Sequence, residues 1–432
     1  MFIDKVMTTV WEPSYQQYKK CYEEASMMSA QELYEKVKNT QILVIEDNMM
    51  VTCALKTSGC AHHIRENRMT GCSICDLHTD HQEIEANMKA LQDKDVNLYA
   101  KAIRHNILNT RGEIKQRYVK EYILCHNFLD PAEVPDEVLQ ELFGSDGVYK
   151  KKAMYYELET NVKSLTLQNI TNVERYFGKG KACFRVGIEC QDEWLRNHWL
   201  NKNLNNQEIV DAVRLCHERG HKIIGNVMFG LPGLTEEQSL EEFKKTILWL
   251  TELKVDMYSV SVMNRKEKTL QGLLYRLLRN SEVLLERGIV QQEHTGLPWL
   301  ISIINGIDWG IRTIPDFKEK MAFGQLIQSY IPGKSYDLSY NESVTCSCFE
   351  ETYEVFKKLI FQHDWGGFEH LVQKLKDDNC YQAYQNLLAK QKRAGTVKET
   401  LHLEAIELAK VLWEDNSEDK ILKIEQEFQS IQ

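Results

Sequence analysis

The stretch that decides the fold is CFRVGIECQDEWLRNHWLNKNLNNQEIVDAVRLCHERGHKIIGNVMFGLPG, residues 183–233. It begins and ends with apolar runs of strand length, and an amphipathic segment, 205–220, separates them. Gly220 supplies a helix stop at the end of that segment. The apolar side chains that share one face at helical spacing are Ile209, Val210, Val213 and Cys216. The stretch therefore predicts a strand, a crossover helix and a parallel strand.

The same alternation extends outward on both sides of this unit. Four more apolar runs are MMVTCALKTS (49–58), YVKEYILC (118–125), AMYYELE (153–159) and VDMYSVSVMN (255–264). Six strands with crossover helices predict an α/β fold, a partial (β/α)6 TIM-like barrel. Its functional face would be the carboxyl ends of the strands, where the loops converge.

The barrel is predicted to span residues 46–275, with additions at both ends. Residues 1–45 are expected to form an N-terminal helical extension. Residues 276–432 are expected to form a mainly helical C-terminal domain on the substrate side. The substrate contacts would then come from this addition and from the strand-end loops.

Composition narrows the class of protein. The chain has 432 residues, of which 43% are hydrophobic and 27% charged, with a formal net charge of −10. The charge argues against a uniformly basic face for long nucleic acids. The N-terminus lacks the apolar core of a secretion signal, and no apolar run reaches membrane-spanning length. These features predict a cytoplasmic protein with no membrane partner.

Three cysteines, Cys60, Cys72 and Cys75, lie together in TSGCAHHIRENRMTGCSICD, residues 57–76. They follow the first predicted strand, so a barrel would place them at its carboxyl face. An iron–sulfur cluster held by three thiolates leaves one iron open. A closed zinc site needs a fourth ligand, which His62, His63 or His78 could supply. Spacing alone does not separate the two metals.

The remaining isolated cysteines are expected to act as small buried hydrophobes. They are Cys21, Cys53, Cys183, Cys190, Cys216 and Cys380.

Five further segments occur in a fixed order along the chain. They are FLDPAEVPDEV (128–138), VGIECQDEWLRNHWLNKN (186–203), VMNRKEKTL (262–270), GLPWLIS (296–302) and the pair Cys346-Ser-Cys348. Together with the cysteine loop, they resemble the radical S-adenosylmethionine (radical SAM) superfamily. The resemblance is to the branch of the archaeosine synthase radical SAM subunit and of the radical domain of the Elongator catalytic subunit. The usual Cys-x3-Cys-x2-Cys motif has its first gap widened to eleven residues here.

The resemblance implies a mechanism. Cys60, Cys72 and Cys75 would hold a [4Fe–4S] cluster, and SAM would chelate the open iron. One electron, from a donor such as flavodoxin or ferredoxin, would cleave SAM to a 5′-deoxyadenosyl radical. That radical would abstract hydrogen from the substrate, while the protein orients the reactants and excludes water.

The resemblance also implies roles for residues near the strand ends. Glu159 stands where the branch carries an arginine, so carboxylate binding by that arginine does not transfer to this chain. Cys346 and Cys348 are candidates for a catalytic role through metal, sulfur or radical chemistry. The candidate SAM contacts are Asn127, Glu159, Glu189, Gln191 and Met228.

Two classes of function follow. The first is a radical SAM enzyme acting on a modified nucleoside or tRNA base, or on a small natural-product intermediate, carbon–sulfur bond chemistry included. The second is a zinc-stabilised RNA-binding or scaffold protein without catalysis. Iron with acid-labile sulfide separates the first class from the second.

Overall fold

The structure is a computed structural model that describes residues 1–46, 50–112, 118–149, 153–263, 265–290, 296–323, 349–414 and 417–429. It comprises two compact units. The first unit contains Met7–Gly187 and Asn201–Gly225. The second unit contains Met1–Val6, Ile188–Leu200 and Asn226–Gln432. Both units are discontinuous in sequence.

Eight strands form one sheet in the order β1-β2-β5-β6-β7-β8-β9-β10, and β3 and β4 form a separate hairpin. The strands are β1 Leu43–Glu46, β2 Met50–Ala54, β3 Ile64–Arg65, β4 Arg68–Met69, β5 Lys120–Leu124, β6 Tyr155–Thr160, β7 Ala182–Glu189, β8 Lys222–Phe229, β9 Met257–Val262 and β10 Met321–Phe323. Strand β1 is antiparallel to β2, whereas β2, β5, β6 and β7 pair in parallel. Strand β10 is parallel to β9.

Helices alternate with these strands and then make up the C-terminal part of the chain. They are α1 Phe2–Met27, α2 Ala30–Val37, α3 Leu77–Asp80, α4 Gln82–Lys94, α5 Val96–Arg111, α6 Asp136–Phe143, α7 Leu167–Phe177, α8 Asn206–Glu218, α9 Glu236–Glu252, α10 Leu270–Leu278, α11 Glu282–Glu286, α12 Leu300–Thr313, α13 Phe317–Lys320, α14 Phe349–Gln362, α15 Trp365–Leu375, α16 Asn379–Gln391, α17 Val397–Leu412 and α18 Ser417–Gln429. Each described helix is too short or too polar to span a membrane.

The six predicted strands are all present, and the predicted partial barrel is confirmed by the mostly parallel sheet with flanking helices. Helix α8 buries Ile209, Val213 and Cys216, as its spacing predicts, while Val210 is only half-buried. Strands β1 and β10 were not predicted. Strand β1 exposes Leu43 and Ile45, so it lacks the buried apolar pattern from which a strand is recognised.

In the first unit, the two faces of the sheet differ in chemistry. Strand register places Val51, Ile123, Leu158 and Phe184 on one face, where all are buried. Helices cover this face through contacts such as Tyr156 with Phe177, whose ring centroids lie 4.1 Å apart. The opposite face carries Thr52, Tyr122, Glu157, Glu159 and Arg185. The sheet therefore has an apolar face under helices and a polar face that is available for chemistry.

Candidate functional site

The eleven residues between Cys60 and Cys72 contain a short β-hairpin rather than an open loop. Strands β3 and β4 pair Ile64 with Met69 and Arg65 with Arg68. Glu66 and Asn67 make the two-residue turn with positive φ values of 52° and 59°, the conformation that a type I′ turn requires. Because a hairpin returns the chain to its starting point, the widened gap still allows Cys60 and Cys72 to lie close together.

Cys60, Cys72 and Cys75 are half-buried cysteines of the first unit. The Cys75 amide donates to the Cys72 carbonyl at 3.0 Å, so a tight turn joins these two residues. Burial raises the pKa of the Cys60 thiol well above its usual range, and the negative charges of Glu133, Cys72 and Cys75 add to this effect. Through the β3–β4 hairpin, the loop that carries Cys60 returns to the turn that carries Cys72 and Cys75.

Asn201 anchors this cysteine hairpin. It is fully buried with φ of 56°, and its side-chain amide donates to the Gly71 carbonyl at 2.7 Å. The Asn201 carbonyl lies 2.8 Å from His62 Nε2. Burial alone would lower the pKa of His62, but its hydrogen bond to Cys72 and the charge of that residue raise it overall. Sequence reasoning missed the anchoring role of Asn201, because nothing in the sequence connects it with a loop 130 residues away.

His63, Cys75 and His78 offer ligand atoms that all lie within 4.8 Å of one another. His63 and His78 are buried, and their rings are tilted by 35° at a centroid distance of 4.0 Å. Burial lowers the pKa of His63 well below its usual range. Trp11 packs edge-on against His78 at 4.4 Å. These histidines were predicted only as choices for a fourth zinc ligand, and the structure places both beside one cysteine.

His126, at the carboxyl end of β5, lies between two buried carboxylates. Its Nε2 is 3.4 Å from Glu85 and its Nδ1 is 3.3 Å from Glu133. Burial lowers the pKa of His126, but the hydrogen bond and charge of Glu133, followed by the charge of Glu85, outweigh this effect and raise it to about 9. Glu133 also accepts a hydrogen bond from the Thr57 hydroxyl at 2.6 Å. This carboxylate therefore links the segment after β5 to the start of the cysteine hairpin.

The polar face of the sheet carries a second charged group. Glu157 accepts from Lys120 at 2.8 Å and from Arg185 Nε at 2.7 Å. Burial raises the pKa of Glu157, yet the charges of Arg185 and Lys120 outweigh burial, so that its pKa lies below the usual value. Glu159 accepts from the Tyr122 hydroxyl at 3.2 Å, and burial raises its pKa. Arg185 stands beside Glu159 in the strand register.

Asn127 connects the ends of β5 and β6. Its Oδ1 accepts from the Thr160 hydroxyl at 2.7 Å and from the Asn161 amide at 3.0 Å. Its Nδ2 donates to the Ser164 hydroxyl at 2.8 Å. Asn127 thus has a structural role here, and its contact with SAM stays a prediction.

Glu189 ends β7 in the second unit, in an unusual backbone conformation. It is buried, with a φ of 66° that a residue with a Cβ rarely adopts. The fully buried guanidinium of Arg196 donates to the carbonyls of Ile188 and Cys190 at 3.2 and 2.6 Å, and to that of Gln191 at 3.1 Å. Arg196 lies in a π-helical turn, Leu195–Trp199, and its contacts hold the segment that presents Glu189.

Gln191 and Met228 also lie in the second unit. The Gln191 amide donates to the Thr246 hydroxyl at 2.9 Å, and Met228 is half-buried near the end of β8.

Cys346 and Cys348 lie outside the described residues. Cys380 is buried among apolar side chains, as expected for a small hydrophobe, but it is also disulfide-bonded, which the sequence did not predict. Helical spacing shows only which face carries the sulfur, not whether another sulfur lies within bonding distance.

No protein-family model matches the chain, and no curated protein matches it. Solved structures do resemble it. The archaeal Elp3 of Methanocaldococcus infernus, lacking its N-terminal residues 1–46, is 15% identical and has a TM-score of 0.40. The match covers 62% of this chain and 59% of that one.

Two other similar structures are described as radical SAM enzymes. TsrM of Kitasatospora setae, a radical SAM methyltransferase with cobalamin and a [4Fe–4S] cluster bound, is 16% identical with a TM-score of 0.32, covering 51% of this chain and 38% of that one. Coproporphyrinogen III oxidase of Escherichia coli is 12% identical with a TM-score of 0.33, covering 56% and 48%. The chain thus spans about two fifths of the length of the first structures that it resembles. Likeness at this level establishes neither activity nor substrate.

Proposed function

We propose that the chain is a radical SAM enzyme whose cysteine hairpin, residues 57–76, holds a [4Fe–4S] cluster. The observation that carries the proposal is the hairpin itself. It folds the eleven residues between Cys60 and Cys72 back on themselves, which supports one shared centre in spite of the widened gap. It follows β2, the first strand of the parallel part of the sheet. Loops in this position form the sites of barrel enzymes.

The donor set fits a cluster that keeps one iron for a second cofactor. Cys60, Cys72 and Cys75 offer three thiols, and burial raises the pKa of Cys60, which favours its protonated form when no metal is bound. Cys60, Cys72 and Cys75 would hold the cluster as thiolates, so Cys60 would lose this proton when the cluster binds. When bound, the cluster and SAM supply a radical that abstracts hydrogen from a substrate.

The chain's own residues keep the site rigid and exclude water. Glu133 fixes the start of the hairpin through Thr57, and Asn201 fixes its end through Gly71. His63 and His78 are buried beside Cys75, which keeps solvent from one side of the sulfur. A rigid site that excludes water protects a reactive intermediate from side reactions with solvent.

SAM would be held by polar groups at the strand ends. We propose that Glu189 accepts from the ribose hydroxyls, because a buried carboxylate at a strand end matches two adjacent donors. Asn127, Glu159, Gln191 and Met228 are the further proposed contacts. Arg185, which stands opposite Glu159, supplies a cation close to the position where the branch carries its arginine.

For the substrate, we propose a modified nucleoside or tRNA base, or a small natural-product intermediate, carbon–sulfur bond chemistry included. Cys346 and Cys348 are proposed catalytic thiols, and flavodoxin or ferredoxin is the proposed electron donor in the cytoplasm. The similar structures support a broad range of substrates. One TsrM structure holds tryptophan, whereas the Escherichia coli enzyme is a coproporphyrinogen III oxidase.

The test is anaerobic reconstitution with iron and sulfide, followed by incubation with SAM and dithionite and measurement of 5′-deoxyadenosine. Wild-type protein should form it, and Cys60→Ala should lose both the cluster and SAM cleavage. Cys216→Ala removes a buried thiol from α8 and should retain both, which makes it the matched control. Full cleavage by Cys60→Ala, or none by an iron-replete wild-type protein, would refute the proposal.

A further inference from the structure

We infer that His63, Cys75 and His78 form a second metal-binding site, which takes a single Zn²⁺ ion when the cluster is absent. Their ligand atoms lie within 4.8 Å of one another. In a tetrahedral zinc site with ordinary bond lengths, ligand atoms are about 3.4–3.8 Å apart. Side-chain movements of about 1 Å would therefore close the site, which we call the HCH site.

The surroundings favour metal over solvent. His63 is 4% exposed and its Nδ1 has no hydrogen-bond partner in the described structure. An imidazole nitrogen buried in this way carries a desolvation cost that a metal ion would remove. His78 is fully buried, and Trp11 and His63 pack against its ring.

The backbone conformation also allows the three ligands to come close together. Gly71 has φ of 122°, and a Cβ at this position would lie 2.6 Å from His63 Cδ2. The absence of a side chain at Gly71 therefore allows the end of the hairpin to close over the imidazole. His78 lies in α3, which begins two residues after Cys75. Cys75 and His78 are thus close because they are near one another along the chain, and the β3–β4 hairpin brings His63 to them.

Two histidines and one cysteine are ligands that zinc accepts, with a fourth position left for water. Binding would release the Cys75 thiol proton, so that the thiolate bonds the metal. Because Cys75 is also a proposed cluster ligand, one chain could hold zinc in the HCH site or the cluster, but not both. This exclusion, unlike the HCH site itself, rests on the proposed function.

Co²⁺ is the probe, because tetrahedral cobalt absorbs visible light and a cobalt–thiolate bond absorbs in the near ultraviolet. Metal-free full-length protein, prepared with a chelator under anaerobic conditions, is titrated with Co²⁺ and then with competing Zn²⁺. We expect one tetrahedral Co²⁺ per chain, with the absorption of one thiolate bond, displaced by Zn²⁺. Absorption equal to three thiolate bonds in the wild-type protein would overturn the HCH site.

Matched variants separate the two centres. His63→Ala and His78→Ala should weaken Co²⁺ binding at least about tenfold, whereas Cys60→Ala and Cys72→Ala should bind Co²⁺ as the wild type does and lose only the reconstituted cluster. Thermal unfolding of each metal-free variant by circular dichroism checks that it folds. Unchanged Co²⁺ binding in both folded histidine variants, or its loss in both cysteine variants, would refute the HCH site.

The exclusion has its own readout. Protein preloaded with Zn²⁺ should take up no iron or labile sulfide until the zinc is chelated. One equivalent of zinc together with one cluster on each chain would overturn the exclusion while leaving the HCH site intact. A failure of SAM cleavage would instead concern the proposed function alone.

Discussion

Individual residues in this protein keep unusual conformations or charges where the surrounding contacts hold them. Glu189 keeps a left-handed backbone while Arg196 binds the carbonyls on both sides of it. The pKa of His126 is raised to about 9 because the carboxylates of Glu133 and Glu85 lie beside it. Each of these states costs free energy, and neighbouring contacts offset that cost.

Glu189→Gln should weaken SAM binding by about tenfold while leaving the iron content unchanged. An amide keeps the size of the side chain but loses the charge that strengthens hydrogen bonds to hydroxyl donors. Equilibrium binding of SAM to the reconstituted protein measures the change. Glu193→Gln, which alters a nearby carboxylate in the same loop, is the control. A SAM dissociation constant unchanged in Glu189→Gln would remove Glu189 from the site.

We expect Glu121 to make the free energy of unfolding depend on pH. It lies buried on the apolar face of the sheet, neither carboxylate oxygen has a hydrogen-bond partner in the described structure, and burial raises its pKa to about 8. Between its ordinary pKa of 4.5 and about 8, the unfolded chain loses this proton while the folded chain keeps it. The free energy of unfolding should therefore fall as pH rises through that window.

Glu121→Gln removes this titration. The variant should be more stable than the wild type at pH 8 by about 1–4 kcal/mol, and no such gain should remain near pH 4. Urea unfolding across this pH range measures both slopes. Glu286→Gln changes an exposed carboxylate and should follow the wild type. Equal slopes for Glu121→Gln and the wild type would contradict this account.

At the scale of elements, the β3–β4 hairpin explains how a widened cysteine motif can still form one centre. Its turn depends on two consecutive left-handed residues, Glu66 and Asn67. Asparagine tolerates this conformation better than other residues with a Cβ, whereas a β-branched residue does not. The turn therefore controls how close Cys60 comes to Cys72.

Asn67→Val should destabilise the hairpin by about 1–2 kcal/mol and lower the amount of cluster that the protein retains. Asn67→Gly, which accepts the same φ without strain, should retain the full amount. Iron and labile sulfide per chain give the measurement. If valine and glycine variants hold equal amounts of cluster, the turn does not set the spacing of the thiols.

At the scale of the whole molecule, the second unit joins distant parts of the chain. Glu236, at the start of α9, accepts from the Trp299 amide at 3.1 Å and from the Ser302 hydroxyl at 2.5 Å. The Tyr384 hydroxyl lies 2.8 Å from the same Ser302 hydroxyl. These contacts cross residue 275, where the end of the strand–helix alternation predicts a domain boundary, and that boundary stays a prediction.

Truncation tests this boundary. A chain that ends at residue 275 should unfold or aggregate, because buried Glu236 loses its partners and α9 loses its packing against α12. A chain that ends at Gln429 should match the wild type. Size-exclusion chromatography and thermal unfolding are the measurements. A monomeric chain of residues 1–275 that unfolds cooperatively would show that the core folds by itself.

Much of the fold was predictable because its signals are local. The spacing of Ile209, Val213 and Cys216 predicts α8, and apolar runs predict six strands of the sheet. Strand β1 escaped prediction because its residues stay exposed. It pairs with β2 through backbone hydrogen bonds, which sequence patterns do not reveal.

The strand–helix order, the three cysteines and the polar residues at the strand ends can be read from the chain, because they follow from residue type and short-range spacing. Which side chains meet depends on how distant segments pack. The tertiary structure folded the eleven-residue gap into a hairpin and brought Asn201 to Gly71. It also placed His63 and His78 beside Cys75. Such contacts depend on the balance of burial and hydrogen bonding across the whole unit, which no local pattern contains.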